Sequence, residues 1–133
     1  MPSTLPLEVQ VRGSEARQLV RRVLDVIRVR KGRENAISMH EVAELTGSNA
    51  RTVQAIVKFL VEERHVPIGT STTRPFGYFR LANNDERRAV RNHFVRRGLS
   101  NLQHARAYDS DSIVAPLIGQ IEIDFPEISG EKR

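Results

Sequence analysis

The chain contains no cysteine and no tryptophan, and it has only five phenylalanines and two tyrosines. The absence of cysteine excludes disulfides and thiolate metal sites within this sequence. No run approaches the roughly 20 apolar residues of a membrane-spanning helix, and the first ten residues lack the basic and apolar segments of a secretory signal. A length of 133 residues suits one folded domain with tails. We therefore expect a cytoplasmic protein with a modest, aliphatic core.

Charge is divided unevenly along the chain. Residues 1–108 hold 19 Lys and Arg against 10 Asp and Glu, a net charge of +9, whereas residues 109–133 hold 2 against 6, a net charge of −4. Of the 19 basic residues, 17 are Arg, whose planar guanidinium suits bidentate contacts with phosphates and bases. The basic part therefore favours a polyanionic partner, although a solvated Arg-rich surface has the same composition.

Two helices are predicted ahead of the centre of the chain. The first begins at Ser14, a good N-cap, and its apolar residues recur with a helical period. The second is short, because Ser38 and Glu41 have the S-x-x-E spacing of a capping box and the helix stops at Thr46 and Gly47. We expect both helices to bury an apolar face.

The stretch 48–64 is predicted to be a longer amphipathic helix. One face is apolar, with the i, i+3, i+4, i+7 spacing of a single stripe, and consists of Val53, Ile56, Val57 and Leu60. Ser48 is the expected N-cap, since its hydroxyl accepts from a free amide in the first turn. The exposed face is hydrogen-bonding and cationic, and it consists of Asn49, Arg51, Thr52, Gln54 and Lys58. This helix is therefore predicted to be presented to a ligand.

A short helix, a turn containing Gly47 and a longer amphipathic helix are the signature of a helix-turn-helix. The residues ISMHEVAELTGSNARTVQAIVKFLVEE resemble the helix-turn-helix of the winged-helix superfamily. Two short apolar runs follow, HVPI (65–68) and GYFRL (77–81), separated by the turn-prone GTSTTRPF (69–76). They predict the β-hairpin, or wing, that follows the recognition helix in that superfamily. The expected fold is mainly α with a small β-hairpin, and the winged domain spans residues 14–82.

The resemblance implies that the segment from Ser48 to Lys58 enters the major groove of double-stranded DNA. Three side chains suit the reading of base edges, namely Asn49, Arg51 and Gln54. Five suit contacts with the DNA backbone, namely Thr52 and Lys58 on the helix and Thr72, Thr73 and Arg74 on the wing. The alternative for each of them is a solvated polar residue.

Beyond the hairpin, Asn84 and Asp85 begin a fourth predicted helix, which ends near Ala107 and forms an appended basic segment over residues 83–108. Gly98 interrupts it and implies a kink or a close helix–helix approach. The helix either pairs with a second copy in a homodimer or covers the core. The order VPIGTS, GYF and a charged helix resembles small winged-helix proteins encoded by bacteriophages. Residues 1–13 are expected to form an N-terminal arm.

The tail, residues 109–133, is acidic and is interrupted by two prolines and two glycines, which predicts little fixed structure. Its residues QIEIDF (120–125) resemble the bacterial sliding-clamp-binding peptide, Q-x-x-(Leu or Ile)-x-Phe, with Gln120, Ile123 and Phe125 at the matching positions. The resemblance implies that the tail recruits a sliding clamp. The alternatives are a strand at 121–125, a different partner, or a segment that folds over the basic body and inhibits it.

Neither catalysis nor a cofactor is expected. The four histidines are never spaced i, i+4, and the sequence has no Gly-rich phosphate loop and no nucleophile motif. Two functions remain open. The first is a DNA-binding transcriptional or replication accessory factor. The second is a phage-type protein ligand that binds a host replication protein, such as the clamp, through residues 120–125, with DNA binding secondary.

Overall fold

A computed structural model describes residues 13–129, which form several helices and one two-stranded antiparallel sheet. The elements, in chain order, are α1 (Gly13–Arg28), a 3₁₀ turn (Arg33–Asn35), α2 (Met39–Thr46), α3 (Ala50–Arg64), β1 (Ile68–Ser71), β2 (Gly77–Arg80), α4 (Asn84–Ala105), a second 3₁₀ turn (Arg106–Tyr108), α5 (Val114–Asp124) and α6 (Pro126–Ser129). The predicted fold class, mainly α with a small β-hairpin, is confirmed, and this order of elements is compatible with a winged helix. Nearly all of the predicted N-terminal arm lies outside the described residues.

The chain divides into two compact units at the junction between Asn84 and Asp85. The predicted boundary between an appended helix and a tail near residue 108 falls within the second unit. No helix in the described part of the chain is long and apolar enough to cross a membrane.

The core of the N-terminal unit lies between α1, α2, α3 and the hairpin. The four predicted apolar positions of α3 are all buried in it, and they are Val53, Ile56, Val57 and Leu60. Ile68 of β1 and Tyr78 of β2 belong to the same cluster. Full burial of one Val, Leu or Ile contributes about 1.5–3 kcal/mol. This stripe therefore fixes which face of α3 is directed outward.

The turn between α2 and α3 is built from local hydrogen bonds. The Ser38 hydroxyl caps α2 by accepting from the Glu41 amide at 3.1 Å, as the capping box predicted. At the other end, Gly47 has a left-handed backbone with φ of 68°, and the Ser48 amide donates to the Ala43 carbonyl at 2.9 Å. Glycine adopts this conformation without the steric penalty of a Cβ atom. The chain can therefore reverse within a few residues and begin α3.

Strands β1 and β2 pair in a register that sets Ile68 opposite Arg80 and Ser71 opposite Gly77. The other edge of β2 pairs with a segment that precedes α2. Ile37 and Tyr78 exchange two backbone hydrogen bonds of 2.8 Å, and the Gly32 amide donates to the Arg80 carbonyl at 2.9 Å. Because an isolated two-stranded hairpin is marginal in water, this third segment helps to hold the hairpin in place.

The second unit contains α4, α5 and α6 around a small apolar core. Its buried residues are Leu99, Ile118 and Ile128, against which Phe125 and other partly buried side chains pack. The expectation of little fixed structure in the tail is wrong, as is the alternative of a strand at 121–125. Residues 114, 118, 121 and 125 are apolar and recur at a helical spacing, which places the first three on one face of α5 and Phe125 directly after its end.

Gly98 lies inside α4, where the sequence predicts a kink or a close helix–helix approach. A Cβ atom built on Gly98 would meet no heavy atom within 4 Å among residues 13–129 of the same chain. Packing within the described part of the chain therefore does not require the glycine, and a close approach by a helix of a second copy stays a prediction.

Candidate nucleic-acid interface

Asn49, and not Ser48, caps α3. The Asn49 side chain accepts from the Thr52 amide at 2.9 Å, and its own backbone is extended, as an N-cap requires. The Ser48 hydroxyl instead lies 2.9 Å from the Thr46 hydroxyl, within the turn. The prediction for Ser48 is corrected by one residue because two residues able to cap are adjacent and only the turn geometry selects between them.

A stripe of three side chains lies exposed on α3, opposite its buried face. It consists of Arg51, Gln54 and Lys58. Their spacing of i, i+3 and i+7 places them on one helical face. None of the three side chains forms an ion pair or a side-chain hydrogen bond within residues 13–129. We call this set the α3 stripe, and its donors are free to meet a ligand.

Thr52 is not on the exposed face where the sequence placed it. Its exposure is 7%, because it lies four residues before Ile56 and so extends the buried stripe. Its hydroxyl group is typical of a polar face, but its helical position places it on the buried face. The prediction that Thr52 lies on the exposed face of the helix is therefore wrong.

The hairpin turns through a loop of five exposed residues, 72–76, which we call the wing loop. Thr72, Thr73 and Arg74 lie in this loop, whereas Thr70 and Ser71, which fall within the predicted turn 69–76, belong to β1. The Arg33 guanidinium donates to the Thr73 hydroxyl at 2.6 Å, and the Ser71 hydroxyl donates to the Thr73 carbonyl at 2.7 Å. Both bonds are made at Thr73, so they hold the first half of the loop.

Arg74 is the charged residue of the wing loop. Its side chain is exposed and forms no ion pair or side-chain hydrogen bond among the described residues. The sequence from residue 64 to residue 84 contains no Asp or Glu. The hairpin therefore carries only positive charge of its own.

Sequence reasoning missed two residues at this surface, Arg33 and Phe76. Arg33 is 40 positions away from Thr73, and no local pattern connects them. Phe76 is 55% exposed in the wing loop. An aromatic residue inside an otherwise small and hydroxylic turn was the available signal.

The junction between α3 and β1 fixes the hairpin beside the end of the helix. His65 ends α3 in a left-handed conformation with φ of 58°, and the Val66 amide donates to the Leu60 carbonyl at 3.0 Å. Only residues 65–67 separate the two elements. The α3 stripe and the wing loop are thus carried by elements that share one core.

The three residues of the predicted partner peptide lie in the second unit. Gln120 and Ile123 are on α5, and Phe125 is the residue at its C-terminal end. Gln120 donates to the Asp124 carboxylate at 3.1 Å. Phe125 packs into the small core and lies under the Arg91 guanidinium, whose carbon is 5.2 Å from the ring centre. Ile123, in contrast, is 72% exposed.

Comparison with models of known families, with curated proteins and with solved structures finds no match to this chain. Within the part of the chain that the structure describes, no group of three or more His, Asp or Glu side chains is placed to hold a metal ion.

Proposed function

We propose that the N-terminal unit is a winged-helix domain that binds double-stranded DNA. In this proposal α3 enters the major groove and the wing loop contacts the backbone or the minor groove. The observation that carries the proposal is the α3 stripe, three polar side chains that have no side-chain partner among residues 13–129 and lie directly opposite the buried face of a capped helix. The protein would act as a transcriptional or replication accessory factor in the cytoplasm.

The α3 stripe runs along one side of the helix for about two turns. Lys58 is seven positions after Arg51, which at about 1.5 Å per residue is about 10 Å along the helix axis. A major groove of B-DNA is about 12 Å wide and admits an α-helix. Arg51 lies in the first turn of α3, where helix-turn-helix proteins contact bases, and Lys58 lies further along, where a phosphate contact is natural.

The side chains divide by the contacts they suit. Arg51 is a bidentate donor for guanine, and Gln54 has the paired donor and acceptor that adenine presents. Lys58 and Arg74 are positively charged and suit phosphates, which position the protein without reading sequence. Thr72 and Thr73 offer hydroxyls to the same backbone.

Binding to duplex DNA measured at two salt concentrations tests the proposal. The affinity of the full chain is expected to fall steeply with salt, because phosphate contacts release counterions. Arg51→Ala is expected to weaken binding by about 1–3 kcal/mol and to relax specificity at one base pair. Arg64→Ala removes the same charge from the same helix, but residue 64 does not lie on the stripe, so this variant is the matched control.

The outcome is decided by the difference between the two variants. A loss confined to Arg51→Ala supports recognition through the α3 stripe. Equal affinities for wild type and both variants, or no binding to duplex even at low salt, would refute the proposal.

A second proposal concerns residues 120–125 and follows from the exposure of Ile123. An apolar side chain that is 72% exposed on α5 is available to a protein partner, and the resemblance of this segment to a clamp-binding peptide suggests a bacterial sliding clamp. Phe125 is partly buried against Leu99 and Ile118. Full engagement of the peptide would therefore require the end of α5 to open.

Titration of a bacterial sliding clamp with the full chain tests this second proposal. Ile123→Ala is expected to abolish binding without changing thermal stability, whereas Leu117→Ala, at a 49% exposed position of the same helix, is expected to retain it. Phe125→Ala is less informative alone, because it also removes part of the core. Absence of clamp binding by the wild type would exclude this function.

A further inference from the structure

Phe76 is an exposed aromatic side chain in the wing loop. More than half of its surface, 55%, is in contact with solvent. Phe79, three residues later on β2, is buried at 6%. The hairpin thus buries one phenylalanine and exposes the other.

The backbone on both sides of Phe76 is constrained. On one side, the Thr73 side chain and carbonyl are held by Arg33 and Ser71. On the other side, Gly77 begins β2 and passes so close to Ile37 that no side chain fits between them. These contacts hold the loop on both sides of Phe76, and in this conformation its ring lies in solvent.

The charge around Phe76 identifies the kind of partner. Arg74 lies in the same five-residue loop, and the segment from residue 64 to residue 84 has no acidic residue. An apolar ring combined with an exposed guanidinium and hydroxyl groups matches a DNA groove, in which phosphates flank a stack of aromatic bases. Proteins that bind the minor groove use such apolar side chains as wedges between base steps.

We infer that Phe76 inserts its ring between adjacent bases from the minor groove and thereby kinks the duplex. The inference rests on the proposed DNA binding of the N-terminal unit. This contact would make the binding affinity depend on how easily the DNA deforms, because pyrimidine–purine steps such as TA unstack most readily. Selectivity would then include a flexible step at the position of the wing loop, in addition to the base edges met by α3.

Fluorescence of 2-aminopurine measures this insertion directly. The probe replaces the adenine of a single TA step in a short duplex, and the full chain is titrated into it. Wild type is expected to raise the fluorescence as the step unstacks. Phe76→Ala is expected to abolish the rise and to weaken binding about tenfold, while its circular dichroism stays unchanged.

Phe94→Ala is the matched control, because Phe94 is 59% exposed but lies on α4. It is expected to keep both the affinity and the rise in fluorescence.

A second experiment uses tryptophan fluorescence, because the chain contains no tryptophan of its own. The indole in Phe76→Trp should be quenched by bases and protected from acrylamide on binding duplex, and the indole in Phe94→Trp should not.

Several results would overturn the inference, and they separate it from the proposed function. If wild type binds duplex through Arg51 without a rise in fluorescence, or if Phe76→Ala equals wild type, DNA binding stands and the wedge does not. If the effect of Phe76 is confined to single strands, insertion into duplex is wrong. If no duplex is bound at all, both proposals fail.

Discussion

Gly77 passes the backbone of Ile37 so closely that a Cβ atom on the glycine would overlap the Ile37 carbonyl group. Its φ of 131° is also a conformation that residues with a side chain rarely adopt. The contact holds the start of β2 against the segment before α2. The wing loop is therefore anchored by a position that only glycine can occupy.

Gly77→Ala is expected to destabilise the N-terminal unit by more than about 2 kcal/mol, because the added methyl group both collides with backbone and strains φ. Gly47→Ala is the control. Gly47 also has a positive φ, but a Cβ there would meet nothing within 4 Å, so strain alone applies and the loss should be about 1–2 kcal/mol. Urea denaturation measures both values, and equal losses would contradict the predicted collision.

Gly98→Ala is expected to stabilise the second unit. Gly98 is inside α4 and a Cβ would meet nothing within 4 Å, so alanine gains helix propensity of about 0.5–1 kcal/mol without a clash. The unfolding temperature of the second unit should rise. A fall would show that an additional contact, such as one with a second copy of the chain, needs the glycine.

Tyr78 should make the N-terminal unit sensitive to alkaline pH. Burial raises the pKa of Tyr78 above its ordinary value of 10.0, because the phenolate is poorly solvated in the core. Above pH 10 the unfolded chain releases a proton that the folded chain retains, so the free energy of unfolding falls as pH rises, and below pH 10 this group adds no pH dependence.

Tyr78→Phe is expected to remove the part of the alkaline loss of stability that comes from ionisation of Tyr78. Denaturation midpoints at about pH 8 and about pH 11 for wild type and the variant measure it. In a Tyr108→Phe background Tyr78 is the only phenol in the chain, so its ionisation can be followed by absorbance. An identical pH dependence in wild type and Tyr78→Phe would contradict the assignment.

Asn49 allows helix capping and DNA contact to be separated. Asn49→Asp preserves a good N-cap, so stability should stay within about 0.5 kcal/mol, but the added carboxylate should repel phosphates and weaken DNA binding. Asn49→Ala should cost about 1 kcal/mol of stability through loss of the hydrogen bond to the Thr52 amide. Unchanged DNA affinity in Asn49→Asp would restrict Asn49 to a structural role.

Local periodicity explains which parts of the fold could be predicted. Val53, Ile56, Val57 and Leu60 are buried as expected, because a single helical face must pack against something. The Ser38 cap was also predictable, since its partner Glu41 is three residues away. The exposed position of the α3 stripe was predictable as well, because it lies on the side of the helix opposite the buried face.

Predictions from local sequence are wrong where contacts between distant residues decide the structure. The hydroxyl of Thr52 is typical of an exposed position, but its place on the helix puts it on the buried face. In the tail, the alternation of Ile121 and Ile123 with acidic residues is typical of a strand. The same segment also has a helical spacing of apolar residues, which places Ile118 in a core. The pairing of Ile37 with Tyr78 spans 41 positions, and no window of sequence contains both.

That pairing also sets an order of events during synthesis. All three core helices of the N-terminal unit precede Tyr78 in the chain, so they leave the ribosome before the Ile37 amide and carbonyl have their partner. Non-local pairing of this kind forms late, because the intervening chain must first be brought together. Nascent chains of which the part outside the ribosome ends before residue 77 should therefore hold helices without a completed core, and emergence of β2 should be the step at which the domain becomes resistant to protease.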